Sequence, residues 1–282
     1  MALSFCHEHA EALGALLSTR STQTNEVNRC AALLPALVHA VPAARAIALV
    51  ELGASAGLNL LLDRYAYRYT GEAAAVRAGQ GPVRCESAVD GTLPSLAACP
   101  LIAQRVGVDL DPVDVHDEDA VRWLTACVFA DQPWRVQRLL AAVQFARRRP
   151  PTIIRGDATT LLRELDGDRL GGAHPVVWHS LVLGYFLESE QHAFTEALDG
   201  AGAAMDLTWI YLETPAETPG LPTPQSARRI GGIDCALVAV SYRDGRRAVR
   251  QLARADAHLA RLSWLASAEP SRVQPAARAR WR

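Results

Sequence analysis

The 282-residue sequence predicts an α/β domain built on a doubly wound sheet with an antiparallel terminal hairpin, preceded by an N-terminal helical segment. Three observations carry that expectation. Short continuous apolar runs such as Ala46–Glu51 alternate with stretches of helical spacing, as strands covered on both faces require. The first run ends in a tight turn, Gly53-Ala54-Ser55-Ala56-Gly57, after which helical spacing resumes. Asp244-Gly245 separates "ALVAVSYR" from "RAVRQLAR", and an Asp-Gly pair between two such runs marks a hairpin.

Taken in order, Leu3, Cys6, Ala10, Leu13 and Leu17 recur every three to four residues, so residues 3–20 are expected as an amphipathic helix. A polar turn leads into a second helix over Asn25–Ala40. The strand Ala46–Glu51 follows, and a helix over Leu58–Tyr65. Between residues 66 and 100 the texture changes: Tyr65, Tyr67 and Tyr69 alternate, Gly79 and Gly81 punctuate, and "VRCESAV" alternates again. This is expected as a β-rich insertion. "QRVGVDLDPVDV" reads as a strand entering a polar turn, residues 117–149 as helical, and "PTIIRGD", "PVVWHSL", "LTWIYLE" and "CALVAVSY" as further strands. Helices at Thr159–Leu165 and Ser189–Ala201 separate them. The four prolines between Glu213 and Ile230 suit a surface loop or lid near the strand ends. The expected bounds are a helical segment at 1–45, the α/β domain at 46–268 and a flexible tail at 269–282.

Composition narrows the partners. The 29 basic residues, all arginine, balance 30 acidic ones, so no basic field gathers nucleic acid or an anionic membrane. The apolar run over residues 31–52 is broken by Pro35, His39, Pro42 and Arg45, short of the roughly 20 apolar residues a bilayer span needs. Six scattered cysteines without a C-x-x-C pair point to reduced thiols and a cytoplasmic protein.

"ELGASAGLN" supports two chemistries. As G-x-S-x-G it is a nucleophile elbow with Ser55 as nucleophile, His258 as base and Glu213 as a candidate acid. As E-x-G-x-S-x-G it is a loop for S-adenosylmethionine (SAM), in which Gly53, Ser55 and Gly57 admit the ligand to the backbone and Glu51 faces its ammonium group. The residues upstream of Ser55 leave no room for the strands and oxyanion loop of a hydrolase. Downstream, "VGVDLDP" resembles the second methyltransferase motif, with Asp109, or else Asp111, accepting from the ribose hydroxyls. If "YAYRYTGE" is the second strand instead, Glu72 takes that role. "IIRGDATTLL" resembles the third motif and puts Asp157 and Ala158 beside adenine. "HPVVWHSLVLGYF" resembles the fourth, so His179 and Ser180 face the transferred methyl, with His179 as a base. Together these give a Rossmann-like, SAM-methyltransferase-type sheet.

Two further stretches are ambiguous. "TQTNEVNR" is either a helix cap at Thr24 or Asn25, or a pocket wall in which Asn25, Glu26 and Arg29 meet substrate. "CHEH" and "HDED" lack complete metal-ligand spacing, and the second suits the acidic first turn of a helix. Trp178 and Tyr185 are expected in the core.

The stretches "TQTNEVNRCAALLPAL", "LVELGASAGLNLLLDRYAYRY", "RVGVDLDPVDV", "IIRGDA" and "ARADAHLARLSWL" together resemble a bacterial domain-of-unknown-function family, across nearly the whole chain. Its fold is similar to SAM-dependent methyltransferases. Asn28 and Leu259 stand where that family tends to have glycine. The resemblance implies SAM as cofactor and an unnamed small-molecule acceptor. A serine hydrolase and a non-catalytic binding module of the same fold stay open.

Overall fold

The strand β1 (Ile47–Leu52) is apolar almost throughout because both its faces are covered, and all six of its residues are buried. In the computed structural model, which describes residues 2–41, 45–72, 75–97, 99–167, 170–224, 234–265 and 274–275, it lies centrally in one large sheet. The other strands are β2 (Ala66–Thr70), β3 (Ala75–Ala78), β4 (Arg84–Asp90), β5 (Ile102–Asp109), β6 (Thr152–Arg155), β7 (His174–Ser180), β8 (Leu207–Glu213), β9 (Asp234–Arg243), β10 (Arg246–Asp256), β11 (Arg261–Trp264) and β12 (Gln274–Pro275).

β6, β5, β1, β7 and β8 run parallel in that spatial order. With the β2–β4 excursion set aside this is the order third, second, first, fourth, fifth, so the winding reverses between β1 and β7. β9 lies antiparallel against β8 and pairs with β10 through Asp244 and Gly245, whose φ values of 50° and 68° are those of the expected Asp-Gly turn. The chain thus forms the doubly wound sheet with an antiparallel terminal hairpin. β2, β3 and β4 stay far from β1: they pair with one another and join the sheet through β11, which lies beside β10.

Helices cover both faces. α3 (Cys30–Ala40), a 3-10 helix over Leu58–Arg64, and α5 (Pro133–Arg148), which follows α4 (Glu118–Ala126), pack on one core with Ile47, Leu49 and Trp178. α6 (Ala158–Arg163) and α7 (Glu188–Ala204) pack on the other with Val50, Leu52, Val177 and Trp209. The alternation of partners along β1 and β7 is the period of two of a pleated strand. Pro35 sits inside α3, where it cannot donate to the Ala31 carbonyl; the Tyr69 hydroxyl donates there instead, at 3.1 Å. "HDED" starts α4, with Asp117 accepting from the amides of Asp119 and Ala120.

Several elements differ from expectation. Residues 3–20 form two helices, α1 (Ala2–Glu8) and α2 (Ala10–Thr19), interrupted at His9, and no residue of α2 is buried. The helix expected from Asn25 begins only at Cys30, after a 3-10 turn over Val27–Arg29 that Glu26 caps, while the Asn25 side chain donates to the Ala54 carbonyl. As far as Pro224 the proline-rich loop lies against α7, where Gln191 donates to the Glu217 carbonyl and accepts from the Gly220 amide. Residues 225–230 and nearly all of the expected tail lie outside the described residues. No helix among the described residues is long and apolar enough to cross a membrane.

Candidate functional site

Where the winding reverses, between β1 and β7, a crevice lies outside the carboxyl ends of the strands. Residues from the ends of β1, β5, β6 and β7, from the extended segment Ser21–Asn25 and from the turn after β10 line one cavity of about 460 Å³ there. That is within the roughly 300–1,000 Å³ of small-molecule sites.

Glu51 is the penultimate residue of β1 and is 3% exposed. Its Oε1 accepts from Asn59 Nδ2 at 3.0 Å, while Oε2 is sealed from solvent and has no partner. Burial pushes its carboxyl up to about 8, against Asn59 and the Arg29 charge, with Asp109 adding to the rise. The Trp178 indole, in register on β7, also favours the ionised form but does not meet hydrogen-bond geometry. Asn25 donates to the Ala54 carbonyl at 2.9 Å, which leaves its Oδ1 buried without a donor.

Arg29, buried by the same wall, donates from Nη1 to the Ser180 carbonyl at 3.0 Å and hydroxyl at 3.3 Å, and from Nε to the Ala257 carbonyl at 3.3 Å. Burial lowers it from the usual guanidinium range, partly offset by the charges of Glu26 and Glu213, yet an arginine stays charged in a protein. Among the described residues no carboxylate lies within ion-pair distance of it, and Nη2 has no partner. One cleft therefore holds two buried acceptors that need donors and one buried cation that needs an anion.

The glycine loop wraps the other side. Asp109 Oδ2 accepts the Ser55 amide at 2.7 Å and Oδ1 the Asp111 amide at 2.8 Å, so this carboxylate joins the ends of β1 and β5 and keeps one lone pair per oxygen free. Ser55, at φ 51°, donates its hydroxyl to Gln23 Oε1, and Gln23 in turn donates to the Asp111 carbonyl. A Cβ on Gly53 would stand 2.5 Å from Val182, so the loops after β1 and β7 touch only because residue 53 is glycine. Asp157 caps α6 through the Thr160 amide, and Ala158 follows it in the cleft wall. Asp111 is exposed and paired with Arg155 at 2.9 Å. Leu181 and Leu259 also hold positive φ, at 52° and 58°; strained backbone of this kind gathers at ligand sites.

Of the expected site residues, Asn25, Arg29, Glu51, Gly53, Ser55, Asp109, Asp111, Asp157, Ala158 and Ser180 line this cleft. Four others do not. His179 is fully buried among Phe194, Trp209 and Tyr211; its Nε2 accepts from the donor-only Trp209 indole at 3.0 Å, so Nδ1 carries the proton and donates to Glu213 Oε1 at 2.8 Å. Both ring nitrogens are thus engaged within the core, away from the cleft where a base was expected. Glu213 uses the same oxygen to hold the Val182 and Leu183 amides. Glu26 points away from the cleft to Arg135 at 2.5 Å and Arg138 at 3.5 Å. Although burial alone would raise it, His258, Arg135, the Asn28 amide and Arg138 hold its carboxyl at about 2. Gly57 lies behind the loop, where a Cβ would meet Pro151 and Ile153. Glu72 follows β2 at the far end of the sheet, so the acid beside β1 is Asp109.

The hydrolase geometry is not formed: the Ser55 hydroxyl meets Gln23, Glu213 holds His179, and His258 lies 3.5 Å from Glu26. Glu26, through the Asn28 amide, caps the turn assigned above to Thr24 or Asn25. Trp178 is core as expected, but Tyr185 is 85% exposed at the cleft mouth. Gln23, Asn59 and Val182 were not singled out in the sequence. Only Asn59 carried a signal, as the single polar side chain in "GLNLLL".

The fold and cleft define a doubly wound α/β protein with a cavity at its switch point. Within that class the chain belongs to DUF2332, a family described as uncharacterized protein conserved in bacteria, whose model matches residues 1–264. No curated protein matches it in sequence. Among solved structures it is similar to magnesium protoporphyrin IX methyltransferase (ChlM) from Synechocystis PCC 6803 with bound SAM. That likeness has 15% identity over 74% of this chain and 72% of that chain, with a TM-score of 0.34, and adds nothing to the topology described above.

Proposed function

We propose that this protein binds SAM in the cleft and transfers its methyl group to a small molecule. What carries the reading is the unmet polar demand at the inner end of the cleft. Glu51 Oε2 and Asn25 Oδ1 need donors, and Arg29 needs an anion. An α-amino-acid head group supplies both, as ammonium and carboxylate. Asp109, with free lone pairs at the end of the neighbouring strand, suits a ribose diol. The wall at Asp157 and Ala158 suits adenine. A ligand with an amino-acid head, a ribose and a base is what this sequence of contacts accommodates, and SAM is such a ligand.

SAM would supply an electrophilic methyl on a sulfonium centre. The protein's part is positional: Arg29 and Glu51 orient the head group, and the loop contact between Gly53 and Val182 closes the inner wall. Calorimetric titration with SAM and with methylthioadenosine, which lacks the amino-acid head, tests this. SAM is expected to saturate one site, and Glu51→Gln to weaken it about 10–100-fold, the worth of a charge-assisted hydrogen bond, while methylthioadenosine changes little. Gly53→Arg and Asp109→Ala should abolish or strongly weaken both. Absence of saturable heat with SAM would sink the proposal. Saturable SAM binding without methylation of any metabolite extract would move the assignment to a binding module.

A further inference from the structure

With His179 sealed in the core, one other histidine faces the cleft. His258 lies in the turn after β10, and that turn is held from several sides. Asp256 Oδ1 accepts the amides of His258 at 2.9 Å and Ala260 at 3.3 Å, and Oδ2 accepts that of Arg261 at 2.7 Å. Asn28 Nδ2 lies 3.0 Å from the His258 carbonyl and 3.1 Å from that of Leu259. Leu259 keeps a left-handed φ of 58° in the middle of this network, which over-determines a conformation leucine otherwise avoids.

The two edges of the His258 ring differ. Nδ1 is sealed, 3.5 Å from Glu26 Oε2, an ion-pair distance that falls short of a hydrogen bond. Glu26 is kept ionised by Arg135 and Arg138 behind it. The carboxylate favours a proton on Nδ1, and this leaves Nε2 as the basic nitrogen. Nε2 has no partner among the described residues and belongs to the open part of a side chain that is 36% exposed in the cleft wall. Arg29 reaches both this turn, through Ala257, and the end of β7, through Ser180. His258 therefore stands beside the strand end where an acceptor would meet the methyl group. The charged groups facing it are Glu26 on the sealed edge, Arg135 and Arg138 behind Glu26, Arg29 across the turn, and Asp256 beneath it.

We infer that His258 is the proton acceptor for a substrate with an O–H or N–H nucleophile, and that Glu26 is its positioning residue. This rests on the methyl-transfer reading of the cleft. In the step, the acceptor's electron pair forms the bond to the methyl carbon, the former C–S pair stays on sulfur as a neutral thioether, and the acceptor's proton passes to Nε2. The sulfonium charge is thereby replaced by an imidazolium charge.

The test is ¹⁵N NMR of histidine-labelled full-length protein, with His258→Gln to assign the resonance. In the unliganded protein the ring should carry its proton on Nδ1, and Glu26→Gln should shift it toward Nε2. S-adenosylhomocysteine shares the footprint of SAM but lacks the methyl group and the positive charge. At one fixed pH the His258 ring ¹⁵N shifts should differ between the SAM and S-adenosylhomocysteine complexes, as expected for a unit charge nearby. An Nε2 proton in the unliganded protein, or the same ring ¹⁵N shifts in both complexes, overturns the role of His258 and leaves SAM binding standing. If calorimetry detects no SAM binding, the methyl-transfer reading falls and this role with it.

Discussion

At the scale of single residues, the cleft depends on groups placed where they are costly until a ligand arrives. Burial raises the Glu51 carboxyl to about 8, so near pH 7 it is mostly protonated in the unliganded protein. Its folded-state value lies above the ordinary 4.5, so the associated stability is full below about 4.5 and is lost as pH rises through about 8. Glu51→Gln should therefore gain on the parent in thermal stability from pH 5 to pH 8 and then level off. An ammonium ligand wants the ionised form, so SAM binding at pH 7 should release close to one proton, and methylthioadenosine none. Calorimetry in buffers of different ionisation enthalpy reads this, and equal proton counts for the two ligands would refute it. Asn59, the partner of Glu51, shows how a lone polar residue in an apolar run can mark a site.

At the scale of elements, glycine decides which surfaces approach. Gly202 of α7 faces Tyr242 of β9 so closely that a Cβ would stand 2.1 Å from the ring. The Tyr242 hydroxyl is fixed by Asp199 at 2.7 Å, and Asp199 by Arg247 at 2.8 Å, so the ring cannot move aside freely. Gly→Ala inside a helix ordinarily stabilises by about 0.5–1 kcal/mol. Here Gly202→Ala should destabilise by about 1–3 kcal/mol, the cost of overpacking, as measured by urea unfolding. A gain in stability would show that α7 can shift off β9. Periodicity announced α7 and β9, but nothing in either segment announced their contact.

For the whole molecule, buried polar residues link the β2–β4 excursion and the N-terminal segment to the turn after β10. Asn28 is the central one: its Oδ1 accepts the Glu86 amide at 2.9 Å, and its Nδ2 lies 2.8 Å from the Glu86 carbonyl and close to those of His258 and Leu259. It joins the 3-10 turn, β4 and the turn that holds His258, three regions up to about 230 residues apart in sequence. Asn28→Ala leaves the Glu86 amide and these carbonyls unpaired and should cost about 2–4 kcal/mol in global stability. It should also raise hydrogen exchange in both β4 and residues 256–261. Exchange confined to one of them would mean that Asn28 does not couple the two.

Local pattern determined much of this protein. Apolar runs buried on both faces produced the central strands, the Asp-Gly pair produced the hairpin, and the order of acid-bearing loops after successive strands produced most of the cleft. These are consequences of neighbouring residues, and periodicity records them. Which histidine faces the cleft was decided by tertiary structure alone. His179 at the end of β7 and His258 after β10 both follow or end a strand, and only the packing of Trp209 and Glu213 around the first, and of Asn28 and Glu26 around the second, separates them. The same holds for Glu26, whose partners Arg135 and Arg138 lie more than a hundred residues away. A side chain's direction across a sheet depends on what fills the space beside it, and that space is built by distant parts of the chain.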